Sequence, residues 1–242
     1  MGHDLHALND LNDANDLNDL DAEAFVRAHT RPAAVPYVPE IRLRLAVDDG
    51  THGTHGAHGA HGEEHAELYE IWERAGGLPF WAYPWAGGQA LARHVLDHPE
   101  TVHGRTVLDL ATGSGLVAVA AALAGAALVV ANDVDPYALA AVRLNAAANG
   151  VAVRVLGGDL LDGAPDEEVV LAGDVFYERP LALRVAPFLS RASGVVLTGV
   201  PDRACSYLPD GVFEPVGVHE LLTLLEDAPR KRTTIYRLSG RH

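Results

Sequence analysis

The stretch VLDLATGSGLVAVAAALAGAALVVANDVDP, from Val107 to Pro136, decides the fold. Two segments rich in valine and leucine flank a glycine turn and an alanine-rich run. This order predicts a buried strand, a helix and a second buried strand parallel to the first. The turn reads G-S-G-L-V-A over Gly113–Ala118 and fits G-x-G-x-x-G/A, the pattern of a dinucleotide-binding turn. The pattern alone leaves two ligands open: a nicotinamide dinucleotide and another compound that carries an adenosine.

Predicted strands and helices continue to alternate through VRVLGGDL, EEVVLAGDVFY, ERPLALRVAPFLSRA and GVVLTGVP. This alternation indicates an α/β fold built on a doubly wound, Rossmann-like, mostly parallel sheet. The tail differs, because GVFEPVGVHELLTLLED and TTIYRL predict a C-terminal antiparallel hairpin at one edge. Upstream, Ile41–Leu45 predicts a short strand, and Gly87-Gly88 opens a predicted helix from Gln89 to Leu96.

The net charge of the chain limits the classes of partner that it can bind. Its 242 residues include 18 basic and 33 acidic side chains, a formal net charge of −15. Such a body repels nucleic acid phosphates, so we expect no nucleic acid partner, whereas a basic or lysine-rich protein would suit it. Cys205 is the only cysteine, which is typical of a cytoplasmic protein. No membrane association is expected, since the apolar run 116–131 is too short to span a bilayer.

Two low-complexity segments interrupt the chain. Residues 1–30 carry an acidic L-N-D repeat and predict a partly disordered N-terminal segment ahead of a domain over 31–242. Residues 50–65 form a His/Gly-rich loop with five histidines. A glycine-rich repeat offers no ordered shell to orient imidazoles, so we predict no functional metal site there.

Three acidic residues follow successive predicted strands of the core. Asp109 ends the first of them, where a carboxylate would repel a pyrophosphate but attract a sulfonium and an α-amino group. Asp133 ends the second and is placed to accept both hydroxyls of a ribose. Asp159 ends the third, within reach of the amine of an adenine. The series favours S-adenosyl-L-methionine over the dinucleotide, although each acid alone also fits a helix cap or a turn.

The space left in the chain favours the same ligand. A dehydrogenase needs a substrate domain, and few residues remain after Asp159. A dense aromatic segment, PFWAYPWAGG, stands just before the ligand loop and is expected to form a pocket wall.

The core from about Val35 to Leu238 resembles the class I, seven-stranded methyltransferases, and among them the lysine methyltransferases of the electron transfer flavoprotein β-subunit. Bacterial members of that group are often called predicted nicotinamide N-methylases. The matching pieces are VPYVPEIRLRLA, PFWAYPWAGGQALARHVLDHP, VLDLATGSG, ANDVDPYALAAVRLNAAANG, GDVFYE and TTIYRL. The resemblance implies a seven-stranded sheet, S-adenosyl-L-methionine as methyl donor and a protein lysine as acceptor.

Site residues follow from this resemblance. The group's D-x-x-Y signature stands here as Asp174–Tyr177 and lines the target-lysine channel in related enzymes. We expect Asp174 and Tyr177 to position the amine and Trp85 to border the donor pocket; the structural alternatives are a helix cap for Asp174 and core packing for the two aromatics. The donor loop would comprise Ala111, Gly113 and Gly115, with Ala111 where the group has glycine. The group's D-P-G-R stretch reads V-P-D-R here, ending at Arg203.

Two other functions stay open at this point. A small-molecule N-methyltransferase that acts on a nicotinamide-like amine would need an enclosed pocket. A donor-binding protein without catalysis would keep the donor site alone. Lys231 is the sole lysine, so we do not expect methylation of the chain by itself to be its purpose.

Overall fold

The computed structural model describes residues 20–46, 79–222 and 230–239. The L-N-D repeat up to residue 19 and the His/Gly-rich loop over 50–65 lie outside these residues, so what we predict for them stays a prediction. The predicted domain division at residue 30 also stays a prediction.

Helices and strands alternate as the sequence predicts. The helices are α1 over 20–29, α2 Ala86–Asp97, α3 Leu116–Leu123, α4 Pro136–Ala148 and α5 Arg179–Ser190. The strands are β1 Arg31–Val35, β2 Val38–Leu45, β3 Thr106–Leu110, β4 Leu128–Asp133, β5 Arg154–Gly157, β6 Val169–Gly173, β7 Val195–Pro201, β8 Phe213–Leu222 and β9 Arg230–Leu238. Short 3₁₀ helices lie at Phe80–Ala82, Pro99–Thr101 and Asp202–Tyr207.

Seven strands form one sheet in the order β5-β4-β3-β6-β7-β9-β8. Strands β3 to β7 pair in parallel, and the β8–β9 hairpin joins this sheet through β9, which pairs antiparallel with β7. The predicted α/β class, with its mostly parallel sheet and C-terminal hairpin, is confirmed. The strand order reverses at β3, which has β4 on one side and β6 on the other, and such a switch point opens a crevice at the carboxyl ends of the strands.

Alternate residues of each central strand pack on opposite faces of the sheet. Val107 of β3 belongs to the core under α2, α3 and the small β1–β2 sheet, whereas its neighbour Leu108 belongs to the core under α5. β6 is apolar along its length because both of its faces are buried. Helices on both faces therefore leave the carboxyl edge of the sheet as the place where loops gather.

Several element boundaries differ from the sequence prediction. α2 begins at Ala86, ahead of the predicted start at Gln89, because its two glycines lie inside its first turn. The strand predicted over EEVVLAGDVFY ends at Gly173, since Asp174 adopts a left-handed φ of 56° that no strand continues through. β2 is longer than Ile41–Leu45 and pairs with β1 in a separate two-stranded sheet.

Helix α1 packs beside the ligand edge of the sheet. The Phe25 ring lies 4.7 Å from that of Tyr137 at the start of α4 and 6.4 Å from the fully buried Trp81, measured between ring centroids. These contacts bring residues 20–29 into the same core cluster as the aromatic segment. In the part of the chain that the structure describes, no helix is long and apolar enough to cross a membrane.

A histidine cluster on α2 and β8 makes stability depend on pH. His94 is 9% exposed and lies 4.6 Å from the ring of His98 and 6.1 Å from that of His219. Burial, with the two neighbouring histidines, lowers the pKa of His94 to about 4. In the unfolded chain a histidine binds its proton near pH 6.5. The unfolded state therefore binds more protons between these values, and stability falls as the pH drops from about 6.5 to 4.

Replacing His94 with glutamine should remove this part of the acid sensitivity. We expect the wild-type protein to lose about 2 kcal/mol more unfolding free energy than His94→Gln between pH 7 and pH 4.5, because only the wild type buries the imidazole. Urea unfolding at the two pH values measures the difference. The exposed His103→Gln should keep the wild-type pH dependence; equal acid sensitivity in His94→Gln would contradict the assignment.

Candidate active site

A cavity of about 660 Å³ opens at the carboxyl edge of the sheet, where the turns after β3, β4, β5 and β6 meet. It falls in the size range of pockets for small organic ligands. Eight of the residues singled out in the sequence line it: Trp85, Asp109, Ala111, Gly113, Asp133, Asp159, Asp174 and Tyr177. Gly115 is the exception. A Cβ on Gly115 would lie 3.1 Å from Val142 Cγ2, so this glycine permits close packing of α3 on α4.

The buried side chain of Asp109 stabilises the turn after β3 through hydrogen bonds. Asp109 Oδ2 accepts hydrogen bonds from the Thr112 hydroxyl at 2.5 Å and from the Ala118 amide at 2.9 Å. The carboxyl group thereby ties the turn to the first part of α3. Ala111 and Gly113 have φ angles of 52° and 53°, so Ala111 adopts the left-handed conformation that costs glycine least. No sequence pattern indicated that Thr112 would hold Asp109.

Asp109 is only 1% exposed, and this burial raises the pKa of its carboxyl group to about 7. The two hydrogen bonds act in the opposite direction, and the charge of Asp133 raises the pKa further. A cation entering the cavity would favour the ionised carboxylate.

Asp133 joins the turns after β3 and β4. Its Oδ2 accepts from the Gly113 amide at 2.9 Å, and its Oδ1 accepts from the amides of Val134 at 2.8 Å and Asp135 at 3.1 Å. Asp135 in turn caps α4 through the Tyr137 amide. Asp133 is thus fixed at the junction of two loops, with its carboxylate on the cavity wall.

Asp159 lies two residues beyond β5 and is paired with an arginine that the sequence patterns did not single out. Arg184 of α5 places Nη1 2.9 Å from Asp159 Oδ2, and the Leu161 amide donates to Asp159 Oδ1 at 3.0 Å. These two partners lower the pKa of the Asp159 carboxyl group. Arg184 also lines the cavity. The only sequence signal for it was a basic residue in the interior of a predicted helix that contains another arginine, Arg179.

Asp174 holds the first turn of α2. Its Oδ2 accepts from the amides of Gly87 and Gly88, the latter at 3.2 Å, and its Oδ1 lies 3.4 Å from Arg203 Nη2. The structural alternative for Asp174, a helix cap, is therefore present in the fold. The arrangement requires glycines, because a Cβ on Gly87 would lie 2.6 Å from Asp174 Oδ2 and a Cβ on Gly173 would lie 2.9 Å from Gly88 Cα.

Aromatic rings form the wall beside Asp174. The ring of Phe80 lies 5.5 Å from that of Tyr177 and 5.8 Å from that of Trp85, and the Trp85 indole donates to the Phe80 carbonyl at 2.8 Å. Burial raises the pKa of Tyr83 to about 12 and, with the charges of Glu178 and Asp133, raises the pKa of Tyr177. Both phenols are therefore neutral donors at physiological pH. Tyr177 is 38% exposed, so it faces the cavity rather than the core.

These features fit an adenosyl donor. Carboxylates stand at the carboxyl ends of β3 and β4 and two residues beyond β5, on the cavity wall. The space around Gly113 is open, since a Cβ added there would lie 3.9 Å from its nearest neighbours. Trp81 also lines the cavity, and its Nε1 is buried without a hydrogen-bond partner among the described residues.

The fold and the cavity define a class, that of the Rossmann-like, S-adenosylmethionine-dependent methyltransferases. Residues 90–173 match the family model described as ribosomal protein L11 methyltransferase (PrmA). A solved structure from Thermoplasma acidophilum superposes with a TM-score of 0.50 at 16% identity, over 63% of this chain and 84% of that chain, and shares the fold.

Curated relatives narrow the class. The electron transfer flavoprotein beta subunit lysine methyltransferase of Xenopus laevis is 36% identical over 75% of this chain and 70% of its own length. The Danio rerio protein of the same name is 42% identical over 52% of this chain and 51% of its own length. The chain belongs to the family of electron transfer flavoprotein β-subunit lysine methyltransferases.

Proposed function

We propose that this chain transfers a methyl group from S-adenosyl-L-methionine to lysine side chains of an electron transfer flavoprotein β-subunit. The observation that carries the proposal is the relationship to the Xenopus laevis enzyme, which extends over most of both chains and is named for that substrate. The strongly acidic composition supports a protein partner that presents a lysine-rich surface.

The donor would lie along the carboxyl ends of β3, β4 and β5. Asp133 would hold the ribose hydroxyls and Asp159 the adenine amine, with Trp85 at the border of the pocket. Ala111 and Gly113 would let the donor approach the backbone of the turn, while Gly115 acts indirectly through helix packing. Asp109 would act from beneath the turn, as an anionic group that keeps Thr112 in place and offsets a positive ligand charge.

The acceptor would enter at Asp174 and Tyr177. When bound, the donor supplies a methyl carbon on a cationic sulfur, so that a carbon–nitrogen bond can form as the carbon–sulfur bond breaks and its electron pair stays on sulfur. An amine attacks only when it is neutral. Asp174 would accept an N–H of the amine and Tyr177 would donate or accept at the same nitrogen, which directs the lone pair in line. With the acceptor bound, the aromatic wall would exclude water and limit the nitrogen to a reactive distance.

The test uses methyl-labelled S-adenosylmethionine with this protein and a purified electron transfer flavoprotein, with host extract in a parallel reaction. Label is counted separately in the protein and small-molecule fractions. Label on the β-subunit that is absent with Asp174→Ala is the expected result. Label only on small molecules would instead indicate a nicotinamide-like acceptor, and bound donor without any transfer would indicate a non-catalytic donor-binding protein.

Asp133→Ala should weaken donor binding about tenfold, because a charge-assisted hydrogen bond to the ribose is lost. The loss of such a bond costs about 1–3 kcal/mol of binding free energy. Titration calorimetry with S-adenosylhomocysteine, the product of the donor, measures the change in Kd. Asp210→Ala removes the same charge from an exposed position outside the cavity lining and should bind like the wild type. Unchanged affinity in Asp133→Ala would refute the role given to this carboxylate.

A further inference from the structure

Arg203 forms an ion pair with Asp174 on the wall of the cavity. Both side chains line the cavity, and Arg203 Nη2 lies 3.4 Å from Asp174 Oδ1. Asp174 Oδ2 is turned the other way, toward the first-turn amides of α2. The Asp174 side chain is 12% exposed and that of Arg203 is 32% exposed, so water screens this pair only in part.

The negative charge of Asp174 is thus balanced by two positive groups, one near each carboxylate oxygen. The guanidinium of Arg203 supplies a full positive charge that is not lost at any physiological pH. The amino-terminal end of α2 supplies about half a positive charge through its first-turn amides, two of which donate to Asp174 Oδ2. A protonated lysine that approaches Asp174 therefore meets a carboxylate that already has its counter-charges, and it would add a second cation beside the guanidinium.

We propose that Arg203 selects the neutral form of the incoming lysine amine. The inference rests on the proposed function and deepens it, because it names the group that makes the acceptor shed its proton. Lysine has a pKa of about 10.4 in water, so nearly every lysine arrives protonated. A fixed cation nearby disfavours the ammonium and lowers the pKa of the bound amine. The proton passes to solvent as the side chain enters, and the nitrogen keeps the lone pair that forms the new bond.

Other charged or titratable groups around the acceptor end also affect the pKa of the bound lysine amine, but they do not affect the change in that pKa when Arg203 is replaced. They come from the turn after β4, the start of α5, the 3₁₀ helix that carries Arg203, strand β9 and the aromatic wall: Asp133, Tyr177, Glu178, Asp202, Tyr236 and Tyr83. Each is unaltered when Arg203 alone is replaced. The change in amine pKa between the wild type and an Arg203 variant therefore reports the guanidinium.

Proton release on acceptor binding tests the inference without requiring turnover. The β-subunit is titrated into the protein saturated with S-adenosylhomocysteine at pH 8, in two buffers of different ionisation enthalpy. A β-subunit in which the lysine that takes up methyl label is replaced by methionine gives the background proton release. We expect release of about one proton per acceptor for the wild type and for Arg203→Lys, which keeps the charge. Arg203→Gln should release less than half as much, because its amine stays protonated.

Turnover gives a second readout. The pH at which kcat reaches half of its plateau reports the amine in the bound complex, and it should rise by about one unit in Arg203→Gln. A merely structural role would lower kcat equally at every pH. Arg237→Gln removes an exposed arginine from the far end of β9 and should behave as the wild type in both measurements.

Two results would overturn the inference. One is equal proton release by wild type and Arg203→Gln while the wild type still methylates the subunit, which leaves the proposed function standing. The other is a pH profile of Arg203→Gln that is lowered without being shifted. Absence of both label transfer and binding with the wild type would overturn the proposed function, and this inference with it.

Discussion

Asp174→Ala is expected to lower turnover by about 10²–10³-fold, because under the proposed function the variant would lose both the acceptor for the amine N–H and the anion that balances Arg203. The same change removes the group that accepts from the Gly87 and Gly88 amides, so we also expect a loss of about 1 kcal/mol of unfolding free energy. Single-turnover methylation at saturating donor measures the first effect and urea unfolding measures the second.

Asp174→Asn separates these two contributions. Asparagine tolerates the left-handed φ of 56° at this position, and its amide oxygen can accept from the same first-turn amides. We expect it to recover most of the stability but little of the turnover, because the negative charge is gone. If Asp174→Asn were as active as the wild type, the carboxylate would serve only as a helix cap.

Gly199→Ala is expected to lower the unfolding free energy by about 3 kcal/mol, because its methyl group would overlap the Gly87 backbone. A Cβ on Gly199 would stand 2.9 Å from the Gly87 carbonyl carbon and 3.2 Å from its Cα. Backbone atoms cannot rotate away as a side chain does, so α2 must shift from β7. The shift would also draw the first turn of α2 from Asp174, and we expect turnover to fall with stability. Urea unfolding and the methylation assay measure the two effects.

Gly88→Ala is the matched control. Gly88 follows Gly87 in the first turn of α2, and a Cβ added to Gly88 would have no neighbouring atom within 4 Å. Alanine there should leave stability unchanged or raise it by a few tenths of a kcal/mol, since alanine loses less backbone entropy on folding. Equal destabilisation of Gly88→Ala and Gly199→Ala would show that α2 does not need the glycine contact with β7.

The sheet was predictable because its strands are buried on both faces. β3, β4, β6 and β7 are nearly continuous apolar runs, and a run of that kind between glycine turns has few other interpretations. β1 escaped prediction because its pairing with β2 depends on tertiary packing and a proline stands within it. The end of β6 at Gly173 depends on the φ of Asp174, which local sequence does not specify.

Site positions were easier to predict than site partners. Acids that follow parallel strands must meet at one edge, so Asp109, Asp133, Asp159 and Asp174 could be placed together from the sequence. Their hydrogen-bond partners could not, because Thr112 lies in a turn, Arg184 on α5 and Arg203 on a 3₁₀ helix, and only the fold brings these residues to the acids. The glycines of the α2 contact carry no side-chain chemistry and showed no local sign of their role.

Helix α1 has a consequence for the order in which the protein assembles. The ribosome makes Phe25 early, but its ring partner Tyr137 leaves the ribosome only after β3, α3 and β4 have been made. The contact of the Trp81 ring with that of Tyr137 depends on the same event. The aromatic side of the cavity is therefore completed only after more than half of the chain has been made, by a contact of long sequence separation, the kind that forms slowly. A nascent chain released before α4 would hold the aromatic segment without the surface that orders it.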